Sequence, residues 1–494
     1  MDNQLADGIL PLIIVDRSAA KPLYRQLYDG YRAAIIRGDL RPGQCVPSSR
    51  ALAVELRISR IPVLNAYAQL VAEGYLESRV GAGTFVSSSL PDQRMPYESR
   101  TAGTIPAGSA PRPVARRVLL LPREEVVPWR GRWGPFGVHQ PALDQFPLEV
   151  WSRLVLRHCR SPRVTALLQL DPLGSEEFRN AIGAYLGTAR GVRCDTQQIM
   201  IISGSQQGFE ITARVLLDAG SPVWVEEPGY LLAQRVLQLA GCRLIPVPVD
   251  NEGMDVAAGI KLCRKARAAY VVPSHQYPLG ATMSASRRLQ LLEWAQQSGS
   301  WIIEDDYDSE YRYESMPIAS LQGLDSQSRV IYIGTFSKVL FPSLRIGYMV
   351  IPPDLVNHFI RVRRTMDLAT PNLYQAVLTD FMREGHFARH LRRMRLVYGE
   401  RRAALVDSIR KEFGSILEVH GAEAGMHLAV TLPKGFSDRE IAVRAARDKL
   451  WLWPLSPYYL GDATRQGFIL GFGSTALAEM PSAVRQMKSM LMAD

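Results

Sequence analysis

At 494 residues, with 47% apolar and 21% charged residues, the chain has a globular composition and is too long for one core, so two or more domains are expected. No run of 18 apolar residues occurs, and Asp2, Asp7 and Pro11 break up the N-terminus, so neither a membrane span nor a signal peptide is expected. The net charge of +10 suits a polyanionic partner, although residues 1–90 carry only ten Lys/Arg against eight Asp/Glu.

Leu23, Leu27, Tyr31 and Ile35 recur at helical spacing, and the helix they predict ends at Arg37-Gly38. After the turn Leu40-Arg41-Pro42-Gly43, the stretch Pro47-Ser48-Ser49-Arg50 opens a helix through Ala51–Leu56. Ser59 is placed to cap a third helix, which carries Val63, Ala66, Tyr67 and Leu70 and stops at Glu73-Gly74. Pro62 falls among the free donors of that helix's first turn and should be tolerated. Gly81-Ala82-Gly83 within Leu76–Val86 reads as a tight hairpin. Three helices and a hairpin make a winged helix-turn-helix whose third helix enters the major groove of DNA.

Residues 89–117 hold Pro91, Pro96, Pro106, Pro111 and Pro113 among Gly, Ser, Thr and Arg, a composition that predicts an extended linker. The boundaries that follow are a DNA-binding domain over 1–88, a linker over 89–124 and a ligand-binding domain over 125–494. From about residue 125, apolar runs such as Ile199–Ile202, Val223–Val225, Tyr270–Val272, Trp301–Ile303 and Val330–Ile333 alternate with amphipathic helices. That pattern is α/β with a mostly parallel sheet. Cys45, Cys159, Cys194, Cys242 and Cys263 are scattered without a C-x-x-C pair, which argues against disulfides or zinc and fits a reducing cytoplasm.

Several residues near predicted strand ends together meet the needs of pyridoxal phosphate (PLP). These needs are an amine for its aldehyde, an anion for its ring nitrogen, donors for its phosphate and a flat partner for its ring. Lys338 supplies the amine, with hydroxyls from Thr335 and Ser337 and a guanidinium fork from Arg345. Asp305 supplies the anion, and Tyr307 a donor to the ring's phenolic oxygen. The turn Ser203-Gly204-Ser205-Gln206-Gln207 offers a helix start for phosphate, and Tyr230 a ring to stack.

Pro47–Arg50, Ser59-Arg60, Leu70–Gly74 and Gly81–Thr84 resemble the P-S-x-R, S-R, L-x-x-E-G and G-x-G-T pattern of GntR regulators. Asp305–Glu310, Pro273–Gly280 and Thr335–Lys338 resemble fold-type I aminotransferases, and the whole chain resembles the MocR family of GntR-type regulators. The first resemblance implies that Ser48, Arg50 and Arg60 lie at the DNA and that the wing at Gly81 and Gly83 follows the minor groove. Asn65 either faces the bases or merely covers the helix. The second implies a Schiff-base lysine at Lys338, with Asp305, Tyr307, Tyr230, Ser205, Gln206, Thr335, Ser337 and Arg345 around the cofactor. The family further implies a head-to-tail homodimer. His275 and Gln276 fall in the loop lining the cofactor, either as contacts or as backbone anchors.

Two departures bear on turnover. Gly467–Phe472 places Ile469 where such transaminases carry a substrate-carboxylate arginine, with Arg465 just upstream, and Gln169 stands where a tyrosine is usual. The resulting expectation is a cytoplasmic, DNA-binding regulator that senses PLP, or an amine or amino acid, through an aldimine at Lys338. The alternatives are an active aminotransferase with a DNA-binding arm and a scaffold with a vestigial site. Arg361–Arg364 and Arg389–Arg395 are expected on solvated helix faces, and Trp451–Pro454 in a small-domain core.

Overall fold

The computed structural model describes residues 15–79, 81–89, 113–119, 121, 134–160, 170–313 and 318–492. The chain divides into two compact units, 1–112 and 113–494.

In the first unit, α1 (Leu23–Arg37) buries Leu27, Tyr31 and Ile35 and ends on Gly38, whose φ of +83° gives the left-handed cap. Helix α2 (Ser49–Glu55) is capped by Ser48 Oγ, which accepts from the Ala51 N–H at 3.1 Å. Helix α3 (Arg60–Ala72) buries Val63, Ala66, Tyr67 and Leu70, the stripe its spacing predicts. Ser59 holds the N-cap position of α3 but its hydroxyl makes no cap bond, so its expected capping role is corrected. Strands β1 (Cys45–Val46), β2 (Leu76–Arg79) and β3 (Gly83–Val86) form an antiparallel sheet in the order β1-β3-β2, and β2–β3 is the predicted wing. The packed core joins Leu27, Tyr31, Val63, Tyr67, Leu76 and Val86.

In the second unit, β4 (Ile199–Ile202), β5 (Pro222–Glu227), β6 (Arg243–Asp250), β7 (Gly253–Met254), β8 (Ala268–Val271), β9 (Trp301–Asp306), β10 (Val330–Thr335) and β11 (Gly347–Val350) form one sheet in the order β4-β11-β10-β9-β8-β5-β6-β7. Strands β10, β9, β8, β5 and β6 run parallel, while β11 is antiparallel to both neighbours and β7 to β6. Helices cover the sheet, so strands such as Ile199–Ile202 are buried throughout and read as continuous apolar runs. A second, antiparallel sheet of β12 (Glu418–His420), β13 (His427–Thr431), β14 (Trp453–Pro454) and β15 (Gly467–Gly471) has the order β12-β13-β15-β14.

Three expectations change. Most of the predicted linker, and Gln169, lie outside the described residues, but Arg116–Leu119 at the linker's end forms a short helix rather than extended chain. Strands β9 and β10 run two to three residues beyond their predicted ends, so Asp305 and Thr335 sit within strands. Arg363 is fully buried rather than solvated: it donates to Gln207 Oε1 at 2.6 Å and Thr370 Oγ1 at 2.8 Å, and pairs with Asp367. Trp451 and Leu452 are buried core, as expected.

Candidate functional site

The C-terminal ends of the parallel strands open onto a cleft. It is lined by Lys338, Asp305, Tyr307, Tyr230, Ser205, Gln206, Thr335, Ser337 and Arg345, all nine of the side chains predicted from sequence. It is also lined by His139, Leu232, Val272 and Tyr277, which sequence reasoning missed. Tyr277 lay in the quoted Pro273–Gly280 segment, whereas nothing local marked His139.

Strand alternation decides which carboxylate reaches the cleft. Asp305 points into it, while Asp306, one residue on, forms a buried ion pair with Arg190 at 2.7 Å and accepts from the Tyr332 hydroxyl. Asp305 Oδ2 accepts from Tyr270 OH at 2.7 Å, and Oδ1 is buried without a partner. Burial pushes the Asp305 carboxyl up to about 7, against the opposing hydrogen bond from Tyr270. A cationic N–H at Oδ1 would supply the missing partner.

Lys338 is held down to about 8 by burial, with Asp308 and Asp305 opposing that shift. Its amine therefore carries more of the neutral, nucleophilic form near physiological pH than a solvent-exposed lysine does, although the ammonium still predominates. Tyr307 OH lies 3.1 Å from His275 Nδ1, which also lies 3.1 Å from Asp308 Oδ2, while His275 Nε2 is 3.3 Å from Gly421 O. His275 thus supports Tyr307 from behind. Gln276 is an anchor outside the cleft, donating to Pro228 O at 2.8 Å and Glu226 Oε2 at 3.2 Å.

The anion pole is built by a tight turn. Gly204 adopts φ +86° ahead of the helix Ser205–Leu216, and a Cβ there would stand 2.9 Å from Arg345 Nη2. Only glycine lets the Arg345 guanidinium lie against the helix start, where Nη2 donates to Ser203 O at 3.1 Å. Arg363, through Gln207, ties down the same turn, because Gln207 Oε1 also accepts from Ser203 N at 2.7 Å. Ser337 Oγ and Gln206 Nε2 are buried here without partners. Three partnerless polar atoms around one cleft are the mark of a site shaped for a polar ligand, and an aldehyde bearing a phosphate and a basic ring nitrogen matches them.

Ile469 is fully buried on β15, paired with Ala429 and Trp453 and packed in an apolar cluster with Tyr277, Tyr307 and Tyr458. Arg465 is only half-buried and does not line the cleft.

In the first unit, Ser48, Arg50, Arg60, Asn65, Gly81 and Gly83 are all exposed. Arg60 Nε donates to Ser49 Oγ at 3.0 Å, joining the starts of α2 and α3. The wing turn has φ +78° at Gly81 and +114° at Gly83, conformations only glycine adopts readily. No helix among the described residues is long and apolar enough to cross a membrane.

Residues 23–86 match the family of bacterial regulatory proteins of the gntR type, and residues 139–460 match aminotransferase class I and II. Over 98% of its length the chain is 38% identical to the probable rhizopine catabolism regulatory protein MocR of Rhizobium meliloti, covering 96% of that protein. The chain belongs to the MocR family of GntR-type transcriptional regulators. This MocR-family chain is also 31% identical to the pyridoxine biosynthesis regulator PdxR of Corynebacterium glutamicum, over 93% of the chain and 95% of the relative. Its aminotransferase-like unit resembles the kynurenine aminotransferase of Pyrococcus horikoshii, solved with PMP, at a TM-score of 0.71 and 28% identity, covering 77% of this chain and 97% of the other.

Proposed function

We propose that this regulator holds PLP at Lys338 and couples occupancy of that cleft to operator binding by the winged helix. The observation that carries this reading is the set of buried, partnerless atoms Asp305 Oδ1, Ser337 Oγ and Gln206 Nε2 around one lysine. Arg345, Ser205 and Gln206 hold the phosphate, Asp305 keeps the ring nitrogen protonated, Tyr307 donates to the phenolic oxygen and Tyr230 covers the ring. When bound, PLP supplies an aldehyde that captures primary amines reversibly. Lys338, whose ammonium burial makes easier to deprotonate, would hold that aldehyde until an amine displaced it, so PLP itself or an incoming amine is the signal.

Arg50, Arg60 and Ser48 contact the DNA backbone or guanine edges, Asn65 faces the bases, and Gly81 and Gly83 bring the wing to the minor groove. The protein acts in the cytoplasm as a head-to-tail homodimer. Its ligand changes DNA affinity only by binding two dimer geometries with unequal strength. Domains over 1–88 and 125–494 divide these tasks.

The test is the absorption spectrum of the full-length protein with PLP, before and after borohydride, for wild type and Lys338→Ala. A visible band in wild type alone, fixed onto Lys338 by reduction, supports the reading; no band in either protein sinks it. The intact Lys338–Asp305–Tyr307 set favours a second reading, a working aminotransferase. Against it stands Ile469, which leaves no cation at that position for a substrate carboxylate. Steady conversion of an amino acid and keto acid, lost in Lys338→Ala, would decide for the enzyme.

A further inference from the structure

Four side chains line the cleft beyond those proposed to hold the cofactor: His139, Leu232, Val272 and Tyr277. Leu232 and Val272 carry no polar atoms, and the Tyr277 hydroxyl is engaged by Tyr458 at 2.9 Å. His139 is left as the reader of whatever enters beside the cofactor. Its ring packs on Tyr277, centroids 4.8 Å apart and tilted by 35°, and its nitrogens make no hydrogen bond among the described residues. Burial, with Lys338 and His427 nearby, holds it well below the usual histidine range, so the ring is neutral.

A neutral imidazole offers one donor and one acceptor, the pattern of a hydroxyl, and cannot neutralise a carboxylate. The cations lining the cleft are Lys338 and Arg345, both committed to the cofactor. His139 also adopts φ +66°, a conformation non-glycine residues seldom take, and such strain gathers at binding sites. The segment bearing it is fixed to the end of β15, where Gly471 N donates to Phe136 O at 3.1 Å and Phe136 N to Thr475 Oγ1 at 3.0 Å. The same strand carries the buried Ile469.

We propose that the effector is a primary amine without a carboxylate, whose neighbouring hydroxyl is hydrogen-bonded by His139, and that His139 and Ile469 together set this selectivity. The inference rests on the reading that PLP occupies the cleft at Lys338. It is tested by calorimetric titration of full-length protein whose PLP loading is verified from its visible band. The probes are matched pairs: 3-amino-1-propanol against β-alanine, and 4-amino-1-butanol against 4-aminobutanoate. The amino alcohol of each pair should bind at least about tenfold more tightly, since burying an uncompensated carboxylate is costly.

His139→Gly, which suits the backbone, should keep the band and narrow the preference severalfold by weakening the amino alcohols alone, since Ile469 still leaves the carboxylate uncompensated, and Ile469→Arg should swing it toward the carboxylate. Because Ile469→Arg alters a buried site, His139→Gly alone is sufficient to decide. Equal or tighter binding of the carboxylates by wild type, no binding of either member, or a preference unchanged in His139→Gly would each overturn the inference. A missing band would instead overturn the cofactor reading, and this inference with it.

Discussion

Tyr270 donates its hydroxyl to Asp305 Oδ2 at 2.7 Å from the neighbouring parallel strand, leaving Oδ1 as the open acceptor of the cleft. The tyrosine is fully buried, and burial with the adjacent Asp305 raises its own ionisation well above the usual range, so it stays a donor. Removing it in Tyr270→Phe takes a hydrogen bond from a charged group, worth about 1.5–3 kcal/mol. PLP affinity should fall by about tenfold or more on absorption titration.

The fold raises Asp305 from its ordinary value to about 7, which means that the folded protein favours the protonated form. Between about pH 4 and 7 the native state binds more protons than the unfolded one, so cofactor-free stability falls as pH rises through that window. Glu226 and Glu304 are raised by burial in the same direction. The difference between wild type and Asp305→Asn in urea melts from pH 4 to 7 therefore isolates the Asp305 share. The decline should be shallower in the variant.

Lys338, lowered to about 8, gains neutral amine as pH rises through that value. The neutral fraction grows about tenfold from pH 7 to pH 9, and the rate of band formation on adding PLP should follow it. A flat rate profile would show that lysine deprotonation does not limit capture.

Gly204→Ala should act through Arg345. The added methyl would stand 2.9 Å from the guanidinium at a φ of +86°, and the arginine must move. Affinity for PLP should drop by about tenfold or more, from the loss of charge-assisted bonds, while affinity for pyridoxal without its phosphate changes little. Equal losses for both ligands would place the damage elsewhere.

On the DNA side, Arg60→Ala should weaken binding to a sequence selected from a random pool by about 1–3 kcal/mol if the arginine is bidentate to a base. Ser48→Ala should cost about 1 kcal/mol of stability through loss of the α2 cap, visible in thermal melts even without DNA. Electrophoretic mobility shifts and melts on the same two variants separate the roles.

Elements whose signals are local can be read directly along the chain. The stripe Val63, Ala66, Tyr67 and Leu70, the glycine turn of the wing and the buried runs of the parallel sheet follow from periodicity and backbone freedom, which neighbouring residues suffice to encode. The nine cleft residues were legible because they lie in or beside the ends of strands, and strand ends of a parallel sheet converge.

Other placements come from packing between distant segments. Arg363 reads as one more arginine of a basic run, and its burial against Gln207 and Thr370 depends on a helix packed more than 150 residues away in sequence. Ser59 looks like a cap, yet its hydroxyl makes no cap bond. His139 reaches the cleft only because Phe136 is bonded to Gly471 and Thr475 over 330 residues on. Local propensity fixes which elements form, but which side chains meet is set by contacts distant in sequence, and those carry no local signal.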